Sequence, residues 1–84
     1  MTGVPTQIRQ RENRTPESRR FGAIVRDRRQ QLGLKQAELG DRCGGVSQPT
    51  IARWEAGYAT PDLPMLIRVS RILDFSLDDL KAAS

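Results

Sequence analysis

Glycines cut this chain into short pieces. Gly33, the pair Gly44-Gly45 and Gly57 each close a stretch whose apolar residues recur at helical spacing, and Pro16, Pro49 and Pro64 each stand near the start of one. Glycine stops a helix readily because it enters the left-handed conformation without a Cβ clash. Proline is harmless only in a first turn, where its missing N–H would have had no intrahelical acceptor. No segment of a chain punctuated this way reads as a strand. The expectation is an all-α fold of five helices without an internal repeat.

Residues 1–14 lack helical or alternating periodicity and are polar and basic, so they read as a flexible N-terminal arm; residues 15–84 read as the domain. Thr15 suits an N-cap, Pro16 the first helical position and Glu17 the positive helix end. Phe21, Ile24, Val25 and Leu32 then form one stripe, with the aliphatic stem of Arg28 filling the missing step and Leu34 packing back past Gly33. A second helix places Ala37, Leu39, Gly40 and Cys43 on or near one face. A third opens at Ser47 as its cap, carries Ile51 and Trp54 inward and ends at Gly57. After the loop from Tyr58 to Asp62, a fourth carries Leu63, Leu66, Ile67, Val69, Ser70, Ile72 and Leu73, with Asp74 as its left-handed stop. Ser76-Leu77-Asp78-Asp79 resembles a capping box with Asp for Glu and opens a fifth helix through Leu80.

Composition excludes several classes of chemistry. Among 84 residues there is no histidine and one cysteine, so an internal disulfide, a Cys/His zinc site and the usual histidine-based triads are all excluded. No catalytic constellation is present, and neither an enzyme activity, a metal nor a cofactor is expected. The apolar runs fall short of the roughly 18 residues of a membrane span, and no signal-peptide core is visible. A cytoplasmic domain without membrane partners is therefore expected. Residues 1–35 hold nine basic and three acidic side chains, against five and seven in residues 36–84. That basic front points toward a polyanion. A domain this small buries only about 60% of its unfolded surface, and a partner subunit would steady it.

Two short helices joined by a tight glycine turn have the dimensions of a helix-turn-helix, whose second helix enters the DNA major groove. The surrounding residues sharpen that reading. Gln36-Ala37-Glu38-Leu39, Val46-Ser47, Thr50-Ile51, Trp54-Glu55, Gly57, Pro61 and the run from Leu66 to Leu80 closely resemble the Cro/phage-repressor (Xre-type) helix-turn-helix family, over about residues 18–81. The resemblance implies a five-helix repressor-like domain that binds double-stranded DNA. It gives Gln36 a backbone contact and the bracing of a base-reading side chain. Ser47, Gln48, Pro49, Thr50 and Arg53 fall at the exposed start and face of the recognition helix, over residues 47–56. There a glutamine suits adenine, an arginine suits guanine or phosphate, and proline offers apolar contact alone. Tyr58, Ala59 and Thr60 match a phosphate-meeting loop, and Arg29 with Glu55 matches a structural ion pair. By the same analogy Phe75, Leu77 and Leu80 are the expected homodimer surface.

Three departures stand out. Leu39 and Ile51 lie one residue further apart than the family's usual turn, because two glycines stand where one suffices, and a rotated or shifted recognition helix is expected. Gly40 replaces a common alanine and allows a close approach at about 1 kcal/mol in helix propensity. Lys35 replaces a Ser/Thr cap worth about 1 kcal/mol and offers a phosphate contact instead. Arg14, Arg19, Arg20 and Arg28 are further candidate phosphate contacts, with Arg26 beside them and Arg9 and Arg11 in the arm. Trp54 reads as core and Cys43 as a small buried hydrophobe.

The leading expectation is a homodimeric, sequence-specific transcriptional regulator, a repressor on a near-palindromic operator, without a small-molecule effector domain. The rival from a different class is an antitoxin-type protein-binding module that neutralises a partner protein. Its partner-binding part would have to be the arm.

Overall fold

The computed structural model describes residues 14–81. It contains α1 (Pro16–Gln31), α2 (Gln36–Arg42), α3 (Gln48–Glu55) and α4 (Leu63–Leu73), then a 3₁₀ helix at Leu77–Leu80. No strand occurs among the described residues. The all-α expectation holds, while the count of five helices is corrected to four α-helices and one 3₁₀ helix. Ser76 Oγ does accept from the Asp78 amide at 3.1 Å, and Asp79 Oδ2 accepts from the Ser76 amide at 3.3 Å. Lys81, however, is already extended (φ −67°, ψ 133°). Only four residues remain, and the Asp79 and Lys81 amides close on carbonyls three residues back.

Local chemistry explains the other boundaries. Thr15 Oγ1 accepts from the Ser18 amide at 3.0 Å and Ser18 Oγ accepts from the Thr15 amide at 2.8 Å, a reciprocal cap ahead of Pro16. Lys35 provides no side-chain cap for α2, but Glu38 recovers part of the loss by accepting from the Lys35 amide at 2.7 Å. Ser47 holds the N-cap position of α3, yet its hydroxyl pairs with Thr50 Oγ1 at 2.9 Å and caps no backbone amide. Asp62 caps α4 through the Met65 amide, and Asp74 ends it in the left-handed region at φ 60°.

Phe21, Val25, Leu39, Cys43, Ile51, Trp54, Val69 and Leu73 form the core, drawn from all four helices. Each large apolar side chain so buried contributes roughly 1.5–3 kcal/mol. Phe21 sits at the centre, edge-on to Trp54 at 5.8 Å and to Phe75 at 6.5 Å. Three residues expected on apolar faces are exposed instead. Leu32 is half exposed because α1 has already ended when the chain reaches it. Ala37 is exposed because two residues, about 200° of helix, separate it from Leu39. Leu63 opens α4, ahead of the buried stretch Val69–Leu73, and stays largely exposed.

Two glycines are required by contact, not conformation. A Cβ on Gly40 would clash with the Val46 carbonyl oxygen, and one on Gly22 with that of Trp54. Gly40 therefore lets the α2–α3 turn fold against α2, and Gly22 lets α1 cross the end of α3. The turn itself converges on the Gly40 carbonyl, which accepts from the amides of Cys43, Gly45 and Val46 at 2.9 to 3.2 Å. Gly44 and Gly45 absorb the extra residue at φ 96° and 103°. Arg68 of α4 closes the corner by donating to the Cys43 carbonyl at 3.1 Å.

Candidate nucleic-acid interface

The site is built from α1 outward. Arg29, near the end of α1, donates through Nε to Glu55 Oε2 at 2.5 Å, through Nη2 to Glu55 Oε1 at 3.0 Å, and through Nη1 to the Leu34 carbonyl at 2.8 Å. The two side chains are only 12% and 6% exposed. Their forked pairing raises the Arg29 pKa above its already high ordinary value, with burial opposing the rise. Glu55 Oε1 also accepts from Gln36 Nε2 at 3.0 Å, and Gln36 Oε1 accepts from Gln48 Nε2 at 2.6 Å. An unbroken polar chain thus runs from the interior of the helix pack to the first residue of α3.

That chain orients Gln36 and Gln48 without satisfying them. Glu55 takes one proton of the Gln36 amide and Gln36 takes one from Gln48, so the Gln48 carbonyl oxygen and one N–H remain available at the exposed end of α3. Pro49, Arg53 and Ser47 are exposed around it and Thr50 is half buried. Pro49 lies in the first turn, so no helical hydrogen bond is lost. The longer turn leaves the link between Gln36 and Gln48 intact.

Beyond α3, Gly57 turns the chain at φ 84°, and its carbonyl accepts from Ser18 Oγ at 2.8 Å. Tyr58 and Thr60 are exposed and Ala59 packs against the core. The Arg14 guanidinium lies 4.7 Å from the Tyr58 ring centre, a cation–π stack just ahead of α1. Arg9 and Arg11 lie outside the described residues.

The remaining arginines separate onto two faces of α1. Arg28 is engaged away from α3, donating to the carbonyls of Leu73 and Asp74 at 2.9 and 3.1 Å, where a cation complements the end of α4. Arg20 lines the same side, in a groove with Ile24, Phe75 and Asp79. Arg19 and Arg26 instead border α3. Of the residues expected at a dimer surface, Phe75 and Leu80 pack on the chain's own core, and Leu77 is 37% exposed.

Residues 25–80 match the helix-turn-helix family, two thirds of the chain. The chain belongs to the Xre-type helix-turn-helix family. Similar proteins include the uncharacterized HTH-type transcriptional regulator YqaE of Bacillus subtilis, 37% identical over 60 residues that cover 71% of this chain and 51% of the relative. An HTH-type transcriptional regulator of Methanothermobacter thermautotrophicus is 40% identical over 50 residues, covering 60% of this chain and 71% of the relative. The chain therefore spans about half the length of the Bacillus relative. No solved structure gives a significant match. Among the described residues, no helix of this helix-turn-helix protein is long and apolar enough to cross a membrane.

Ser18, Gly22 and Arg68 were not marked by the motif. Gly22 left a signal, a glycine inside an otherwise regular helical stripe, which commonly marks a close approach. Ser18 and Arg68 left none, because a serine in a first turn and an arginine on an exposed face are ordinary there.

Proposed function

We propose that this chain is a transcriptional repressor that binds a near-palindromic operator in double-stranded DNA as a homodimer, with α3 in the major groove. The observation that supports it best is the polar chain Arg29–Glu55–Gln36–Gln48. It presents Gln48 in a fixed orientation at the exposed N-terminal end of a short helix, beside Arg53 and the apolar face of Pro49. The available oxygen and N–H of Gln48 match the paired donor and acceptor on the major-groove edge of adenine, and Arg53 suits guanine or a phosphate. Lys35, Gln36, Ser47 and Thr50 flank α3 at one end and Tyr58 and Thr60 at the other, where phosphates would border it. Two copies joined near Leu77 would set their recognition helices about 34 Å apart, one turn of the duplex, and bound protein would block polymerase.

The test is a titration of purified protein with an operator selected from a random library and with random-sequence DNA, at several salt concentrations. The selected site should bind roughly 10³-fold or more tightly than random DNA. Binding should also weaken with salt at a log–log slope of about −0.9 per phosphate contacted. Failure to bind DNA at low salt, or equal affinity for both DNAs, overturns the proposal.

A further inference from the structure

The proposed DNA reading leaves one feature unused, the basic face that α1 turns toward the recognition helix. Arg19, Ala23, Arg26 and Gln30 recur at intervals of three and four residues, so they share one helical face. That face borders α3 along two adjoining recesses of about 310 and 260 Å³, which share Arg26, Gln30, Glu55 and Ala56. The first begins at Arg19, whose backbone and stem lie over Gly57, and the second reaches Gln36. The floor on the α3 side is formed by alanines, Ala52 and Ala56. Larger side chains there would fill the recess.

Two acidic groups border it, and neither pairs with Arg19 or Arg26 among the described residues. Glu55 is held by Arg29 and Gln36, and Asp27 accepts from Gln31 Nε2 at 2.9 Å. Neither Arg19 nor Arg26 makes a hydrogen bond or ion pair among the described residues, and both are exposed. The cations are thus free to meet an external anion, and the recess is continuous with Gln36 at the base-reading end.

We propose that the recess between α1 and α3 seats one DNA strand's phosphate backbone, with Arg26 as its anchor and Arg19 about 10 Å further along the same helix face. The occupant is a line of phosphates, because the cations form a row and the row ends where Gln36 and Gln48 meet bases. Arg26 then fixes how deeply α3 enters the groove and reads no base itself. Phosphate contacts of this kind set register without carrying sequence information. Arg20, on the other side of α1, takes no part.

The inference rests on the proposed DNA reading, and the experiment separates the two. Wild-type protein and the variants Arg26→Ala, Arg19→Ala, Arg20→Ala and Ala52→Glu are titrated with the selected operator and with random DNA across a salt series. Thermal unfolding checks that each variant is folded. Arg26→Ala and Arg19→Ala should each reduce the salt slope by about 0.9 and weaken binding to both DNAs by the same factor. The selected consensus should not change. Arg20→Ala should match wild type, and Ala52→Glu, which puts a carboxylate in the seat, should weaken both DNAs more than Arg26→Ala does. An unchanged slope for Arg26→Ala, or a loss confined to the operator, overturns this inference while leaving DNA binding in place. Absence of wild-type binding overturns the DNA reading and this inference with it.

Discussion

Arg29→Met offers a quantitative test of the polar chain. The substitution removes both hydrogen bonds to Glu55 and the one to the Leu34 carbonyl while keeping most of the side-chain volume. Glu55, 6% exposed, would retain only the Gln36 amide as partner. Leaving one member of a buried pair charged and uncompensated costs about 3–5 kcal/mol. A domain of 84 residues has about 4–13 kcal/mol in total. Arg29→Met should therefore sit near the edge of unfolding at room temperature. Converting the partner as well, in Arg29→Met/Glu55→Met, removes the stranded charge and should restore most of the loss. The assay is urea unfolding followed by the fluorescence of Trp54, the single tryptophan, buried against Phe21. With m-values unchanged, the midpoint shifts give the free energies directly. If Arg29→Met costs less than about 1 kcal/mol, the magnitude of an exposed pair, or if the double variant is no more stable than the single, the reasoning fails. The double variant should also discriminate poorly among operators, since Gln36 has lost its anchor on Glu55.

Other perturbations probe the turn and the core. Gly40→Ala should destabilise by about 1–3 kcal/mol in denaturant titrations, because the clash with the Val46 carbonyl outweighs the roughly 1 kcal/mol gained in helix propensity. Burial raises the Cys43 thiol pKa, with Arg68 nearby opposing the rise, so between the unfolded and folded values the native state holds a proton that the unfolded chain has lost. Stability should consequently fall as pH rises above about 8.5, the ordinary thiol value. Cys43→Ala should remove that part of the slope, and an identical pH profile in the variant would show that the thiol plays no part.

Much of the fold is legible in residues that act through their own backbone. Pro16, Pro49 and Pro64 mark helix starts, and Gly33, Gly57 and Asp74 mark stops, because each constrains the local dihedrals directly. Trp54, Ile51, Leu39 and Val69 are legible as core by period. The site divides differently. The motif points to Gln36, Gln48, Arg29 and Glu55, but not to their linkage in one chain, since a hydrogen bond between residues 12 or 26 positions apart depends on how helices pack. Arg28 shows the limit most clearly. It shares composition and helix with Arg26, and only the position of α4 commits one to carbonyls and leaves the other beside α3. The last helix ends at Leu80 as its sequence predicts, but is 3₁₀ and not α for a simpler reason. A sound cap opens it, and the chain straightens at Lys81 before an α-helical turn is complete.

In the proposed complex Gln48, braced by Gln36, reads a base from the start of α3. The decisive experiment is parallel selection of operators from a random duplex library with wild-type protein and with Gln48→Ala. Wild type should return a two-fold symmetric consensus with half-sites one helical turn apart. Gln48→Ala should lose preference at one symmetry-related pair of positions, at about 1–3 kcal/mol per site, and keep the rest. The same full consensus from both proteins, or none from the wild type, would contradict the claim.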